Sequence, residues 1–460
     1  MVLLSVSFFG CTPDPGPTTK VVDEDSVRIT GDSGTTDSGT PVVTRTDTFP
    51  QFTGTVPQNL LIISIDTARR DVFERYGSPI ENAPFLASMA ASGVAAEAHR
   101  SCSNWTLPAM LCITTGQSEI AQGFLPDLRD GQSLMAPELD TIATRLAARG
   151  HMTMLWSANT WFSDVHASAR GFRYTELIND SVTTDVFDGG LGTFQKAVTP
   201  GTPWYLHLHV KDPHAAYAPP AEYLDGLAAL GDVPWDLATL DGHYAARDLW
   251  LNDMTAEEQA LLQAAMRVRY LGEIRYMDDQ IRAAMGRYDT AGLLDDTLVV
   301  VVNDHGEQFW EHDNQTHAYE LNAEENDGFL FFWAKNIVPA VWTEPTSHED
   351  IAPTVFALWG MKESGFSGLP LGQAPADRPI LPLAAARYGV VQSVILGDYK
   401  MTYRWNGDKE LYDVVNDPTE TTNLYAADDP QVIALWDVLL PVVDAVRPLA
   451  PDDTPARLGP

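Results

Sequence analysis

Residues Asp295 to Glu307 read DDTLVVVVNDHGE. Five consecutive apolar residues, four of them β-branched, favour a strand, and an unbroken run suits one covered on both faces, as in parallel sheets. The run ends in Asn303, Asp304 and His305, so oxygen and nitrogen donors sit together where the chain leaves the strand. Asn59 to Asp66, NLLIISID, has the same form and also ends in a carboxylate. Helical stretches separate such runs. LDTIATRLAARG precedes the apolar HMTMLWSAN, and Tyr270, Ile274, Met277 and Ile281 recur at helical spacing within 256–288, ahead of the 295–307 strand. A third run, PWYLHLHVKDPH, alternates and ends at Asp212 and His214. Strands alternating with helices predict an α/β domain built on a mostly parallel sheet.

In open parallel sheets, ligands bind outside the carboxyl ends of the strands. Asp66 alone reads equally well as a turn or capping residue. With Asp304 and His305 it makes an O,O,N donor set, which suits one divalent metal ion with positions left for substrate. Zn²⁺ or Mn²⁺ fits that set better than Ca²⁺, which prefers more oxygens.

The segment Asn104 to Gly116, NWTLPAMLCITTG, predicts a helix beginning just after Thr106, with Pro108 in its first turn. A capping Thr106 would hold its Oγ at the positive end of the helix, beside backbone N–H groups able to bind an anion. A metal on the same oxygen would make it a nucleophile at neutral pH. Taken alone, the segment reads as an ordinary helix start.

Lys and Arg total 29 against 63 Asp and Glu, a formal charge of -34. Such a surface repels nucleic-acid backbones, while a metal can still attract a small anionic substrate. Residues 1–11 run MVLLSVSFFGC, an apolar stretch too short to span a bilayer and similar to a lipoprotein signal whose Cys11 takes a lipid anchor. Residues 12–56, rich in Thr, Asp, Ser, Gly and Pro, read as a disordered tether. These features predict export to the bacterial cell envelope, periplasmic or on the surface, with membrane attachment through the lipid. Cys102 and Cys112 remain, open between a disulfide and two buried thiols.

Seven segments carry a resemblance. NLLIISIDTARRDVFERYG, SCSNWTLPAMLCITTG, VKDPHAAYAPP, YLGEIRYMDDQI, NDHGEQFWEHDNQTHAYE, HEDIAPTVFALWG and LYDVVNDPTETTNL resemble, in order, the sulfatase family of the alkaline phosphatase superfamily. The resemblance implies an alkaline phosphatase-like fold over 57–385; the residues beyond read as a small antiparallel sheet with a helix over 386–446 and a loose tail over 447–460. It implies a metal-dependent hydrolase of anionic esters. Asp66, Asp304 and His305 match the family's metal-binding positions, and Thr106 matches its nucleophile. His214 matches the histidine that contacts the transferred group or assists the leaving group, and His317 falls near the Lys or His that touches the substrate's anionic oxygens.

Three positions depart from the family. A sulfatase nucleophile is a Cys or Ser oxidised to formylglycine, with Pro two residues on and Arg two beyond that; here Thr106, Pro108 and Met110 stand in those places. Oxidising a Thr hydroxyl gives a ketone, so Thr106 would attack directly, as in relatives that act on phosphate esters. Met110 can neither donate a hydrogen bond nor carry charge. Thr67 replaces a second consecutive Asp, which favours a transition metal over calcium. The expected activity is hydrolysis of phosphate mono- or diesters or of sulfate esters. A phosphoethanolamine- or phosphoglycerol-type transferase and a catalytically degenerate binding protein are the alternatives.

Overall fold

The computed structural model describes residues 42–43, 49–122, 135–136, 138–228, 233–361, 365–386 and 389–446, which fall in one compact unit, Thr40–Pro460. The lipid-anchor segment with Cys11 and the expected tail over 447–460 lie outside the described residues. The expectation of a tether over 12–56 is corrected at two places: Val42–Val43 pairs with the central sheet, and residues from Phe49 on belong to the fold. Phe49 is buried with its ring 4.9 Å from Trp342, and Phe52 bridges Ile337.

Among the described residues, nine strands form the central sheet. In spatial order they are Val42–Val43, Ala340–Trp342, Val94–Ala96, Leu330–Trp333, Thr297–Asn303, Asn59–Ile65, Trp204–Val210, Met152–Ser157 and Tyr174–Leu177. All neighbours pair in parallel except around Leu330–Trp333, which runs antiparallel to both of its partners. The two apolar runs that predict the fold are adjacent, with Ile65 opposite Asn303.

Their continuous hydrophobicity follows from cover on both faces. Leu61, Ile63, Val299 and Val301 enter one core with the helices Pro84–Ala91, Thr183–Ala197 and Ala256–Thr290. Leu60, Ile62, Leu298, Val300 and Val302 enter the other, against Thr106–Thr115, Ile142–Ala148 and Ile351–Leu358. Each strand side chain therefore leaves water on whichever side it points, worth about 1.5–3 kcal/mol for each large aliphatic.

The 35-residue helix Ala256–Thr290 begins with a capping box between Thr255 and Glu258, which satisfies its first free N–H groups. Near its middle, Glu273 accepts a hydrogen bond of 2.6 Å from the Ala218 N–H and so pins the loop that carries His214. Beyond Pro382, the strands Leu383–Ala386, Gly389–Leu396, Tyr399–Arg404 and Lys409–Asp413 make an antiparallel sheet, three residues earlier than expected. The helix Pro430–Val446 covers it, with Leu435, Leu439 and Val443 against Val394, Met401 and Leu411. The sheet is fastened to the parallel part by the Leu383 N–H on the Cys102 carbonyl and by an Arg404–Glu320 ion pair of 2.8 Å.

Burial, with the nearby charge of Asp212, pushes Glu273 from 4.5 up to about 8. The folded state thus holds a proton that the unfolded chain gives up near pH 4.5. The stability this group contributes is full below that point and is lost as pH rises towards 8. Glu273→Gln should match the parent near pH 4 and exceed it by about 1–3 kcal/mol at pH 8 in chemical denaturation. A pH-independent difference would contradict this assignment.

Candidate active site

Asp66 and Asp304 each lie one residue past the paired ends of adjacent parallel strands, so their side chains emerge together. The Asp304 N–H bonds the Ile65 carbonyl at 3.1 Å, and the Asp66 N–H bonds Val210 at 3.0 Å. Both side chains are fully buried. Asp304 Oδ1 accepts from the Thr67 N–H at 3.0 Å and the His305 N–H at 2.7 Å, while Asp66 Oδ2 accepts from Asn159 Nδ2 at 2.5 Å. One oxygen of each carboxylate, Asp66 Oδ1 and Asp304 Oδ2, has no hydrogen-bond partner, and neither has the buried Nε2 of His209. Ligand atoms of Asp66, His209 and Asp304 lie within 4.8 Å of one another.

His305 completes this ring. Its Nδ1 bonds the Gly306 carbonyl at 2.9 Å and therefore carries the proton. Nε2 presents a lone pair 3.5 Å from Asp304 Oδ2 and 3.9 Å from Asp66 Oδ1. Glycine is needed next, because a Cβ at Gly306 would lie 1.9 Å from the Glu324 carbonyl oxygen. Burial, followed by the charge of Asp66, pushes Asp304 well above the usual carboxylate range. Two carboxylates in a dry pocket repel, and a cation between their unpartnered oxygens removes that penalty. The donors, two carboxylate oxygens and two imidazole nitrogens, suit a transition metal such as Zn²⁺.

Thr106 stands beside this ring. The helix is Thr106–Thr115 with Trp105 as its cap residue, so the start expected after Thr106 moves one residue earlier and Thr106 is its first helical residue. No side-chain capping bond forms. Its Oγ instead lies 3.4 Å from His305 Nε2 and 3.3 Å from Asn159 Nδ2. Cys102 and Cys112 form a disulfide that spans this turn.

His305, His317 and His214 form a row leading away from the ring, with centroids 4.4 Å and then 5.2 Å apart. His214 Nδ1 bonds the Ala215 carbonyl at 2.7 Å, which leaves Nε2 available. His317 Nδ1 faces Glu307 Oε1 at 3.0 Å. Burial, followed by His305, lowers His317 to about 3, and burial raises Glu307 to about 7. All six residues expected from the sequence thus converge on one pocket at the strand ends.

A sulfatase family profile matches residues 58–361. This chain belongs to the sulfatase family. It is 25% identical over 252 residues to a choline-sulfatase of Rhizobium meliloti (strain 1021), a match covering 50% of this chain and 47% of that protein. A 24% match over 328 residues to an arylsulfatase of Chlamydomonas reinhardtii covers 57% and 50%. The chain spans about half the length of the curated relatives it matches. Among solved structures, a complex with the substrate D-glucosamine-2-N,6-O-disulfate superposes with a TM-score of 0.66 at 18% identity, covering 87% of this chain and all of that one. A phosphonate monoester hydrolase of Silicibacter pomeroyi gives 0.64 at 18%, covering 86% and 96%. At these identities the structural likeness establishes the alkaline phosphatase-like fold.

Within this sulfatase fold, three pocket residues escaped the sequence reading. His209 lies inside a strand, where alternation reads as pattern rather than site. Asn159 ends HMTMLWSAN, the same kind of strand end that drew attention to Asp66. Glu307 follows Asp304 by three residues and holds His317. Met110 is fully buried in the apolar core, packed with residues such as Ile113, and Asn159 is the side-chain N–H donor that reaches Thr106 Oγ.

Replacing Asp304 by Asn should separate the two effects of the carboxylate pair. The metal-free protein should gain about 1–3 kcal/mol at neutral pH, since a buried repulsion is removed. The rise in Tm on adding Zn²⁺ should disappear. A variant that keeps its metal-induced Tm shift would contradict the ligand assignment.

Proposed function

We propose that this chain is a metal-dependent hydrolase that cleaves phosphate mono- or diesters, or the related sulfate esters, with Thr106 as nucleophile. The supporting observation is the placement of Thr106 Oγ: free of capping duty, at a helix N-terminus, beside a ring of unpartnered acidic oxygens and imidazole nitrogens. Asp66, Asp304, His305 and Thr106 would hold the ion. When bound, it would supply Lewis-acid charge to the ester and lower the pKa of the Thr hydroxyl.

The remaining chemistry belongs to the protein. Thr106 Oγ attacks phosphorus in line, and the bond to the leaving oxygen breaks as the new one forms. Asn159 Nδ2 donates to the nucleophile oxygen, and the Thr106 hydroxyl proton passes by way of water to the His214 Nε2 lone pair, which hands it on to the departing alcohol. His317, steadied by Glu307, lines the far side of the pocket where the ester's remaining oxygens sit. Water then cleaves the phospho-threonine and restores the hydroxyl. A phospho-threonine ester carbon has no second hydroxyl through which to expel the group, unlike a formylglycine hydrate, so this second step needs an attacking water. Phosphorus accepts that attack more readily than a sulfate ester does, which favours phosphate substrates.

The setting proposed for this activity is the bacterial cell envelope, with attachment through a lipid on Cys11. The Cys102–Cys112 disulfide beside the nucleophile suits an oxidising compartment.

Assays of aryl phosphate, bis-aryl phosphate, phosphonate ester and aryl sulfate with metal-loaded protein test the reading. Turnover should be highest on a phosphorus ester. Thr106→Ala should lower kcat/KM at least about 10³-fold, and Thr106→Ser should retain much of it. Turnover surviving Thr106→Ala would overturn the nucleophile. Group transfer to an added alcohol in preference to water would favour the transferase alternative.

A further inference from the structure

A chain of polar side chains runs through the apolar core behind the pocket. In the strand Trp204–Val210, Leu206 and Leu208 face one core while Tyr205 faces the other, together with His207 and His209, which alternate with it. Ser64, from the neighbouring strand, sits opposite His209 in register. Tyr205 Oη lies 2.8 Å from His207 Nδ1, His207 Nε2 lies 2.9 Å from Ser64 Oγ, and Ser64 Oγ lies 2.8 Å from His209 Nδ1. All four residues are fully buried, and the Phe162 ring packs edge-on against both histidines.

Such a chain is costly in an apolar core unless every member is satisfied. One atom breaks the pattern. His209 Nε2 has no hydrogen-bond partner and lies 3.5 Å from Asp66 Oδ2, facing the carboxylate pair. The Ser64 hydroxyl has a single proton, so it accepts from one histidine and donates to the other. A cation on the carboxylate pair selects between the two directions open to the chain: with Nε2 on the ion, His209 Nδ1–H donates to Ser64, Ser64 donates to His207 Nε2, and His207 Nδ1–H donates to Tyr205 Oη. That direction leaves the His209 Nε2 lone pair in the pocket.

We propose that His209 is a further metal ligand through Nε2, and that Ser64, His207 and Tyr205 are positioning residues that hold it in the Nδ1–H tautomer. The proposal rests on the metal-dependent reading above, and its test measures metal binding rather than turnover. Partners of this kind behind a ligating histidine typically alter metal affinity about 10–100-fold.

The metal-free full chain is titrated with Zn²⁺ against a chromophoric chelator, and the Co²⁺ form is followed by visible absorption. Ser64→Ala should weaken Zn²⁺ about 10–100-fold and change the Co²⁺ bands, with the Tm of the metal-free protein close to wild type. Ser64→Thr, which keeps the hydroxyl, should restore the affinity. His209→Gln should weaken binding at least as much as Ser64→Ala, and His207→Phe provides a second break in the chain should Ser64→Ala fail to fold. Wild-type Zn²⁺ affinity and an unchanged Co²⁺ spectrum in His209→Gln would overturn the proposal. So would a Ser64→Ala variant whose only change is a lower metal-free Tm. A wild-type chain that binds no divalent ion would instead defeat the metal-dependent reading itself, and this inference with it.

Discussion

The structure depends on two carboxylates held face to face. Asp66 and Asp304 must emerge side by side because the strands before them are adjacent, parallel and in register. Backbone N–H groups and Asn159 take one oxygen of each and leave the other bare. No arrangement of neutral side chains offsets such a pair in a dry pocket as well as a cation does. The buried strands therefore do more than build a core. Their rigidity keeps the repulsive pair in place and makes the pocket selective for a compact positive charge.

The proposed nucleophile is held from a different direction. Thr106 opens a fully buried helix whose preceding loop is tied down three ways. The disulfide spans it, the Leu383 N–H bonds the Cys102 carbonyl, and Asn104 Nδ2 bonds the Glu320 carbonyl and the Glu325 carboxylate. Glu320 is in turn paired with Arg404 of the C-terminal sheet. The small sheet thus braces the segment that carries the Thr106 hydroxyl, which accounts for its place in the same compact unit as the parallel sheet.

Much of this was legible in the sequence, for physical reasons. Five-residue apolar runs have one economical home, a strand covered on both faces, and a polar residue at the end of such a run stands out. Asp66, Asp304 and His305 were readable on that ground. His209 was not, because alternating histidines in WYLHLHV look like the wet face of an amphipathic strand, whereas here that face is a buried hydrogen-bonded chain. The helix start was expected one residue too late, since a Thr before a helix resembles a cap and only coordinates reveal that its hydroxyl makes no capping bond. The reversed strand Leu330–Trp333 was equally hidden, because direction within a sheet depends on long-range pairing. Met110 suggested a missing charge; in the fold it fills core, and the donor near the nucleophile comes from Asn159 on another strand.

The central claim is that one cation sits between these carboxylates with the Thr106 oxygen upon it. Crystals grown with Zn²⁺ and measured at the zinc absorption edge test it most directly. The account predicts a single anomalous peak at about 2.0–2.2 Å from Asp66 Oδ1, Asp304 Oδ2 and His305 Nε2, with Thr106 Oγ and His209 Nε2 also in the shell. A peak bound elsewhere, or one in this pocket with Thr106 Oγ turned away and beyond bonding distance, would contradict it.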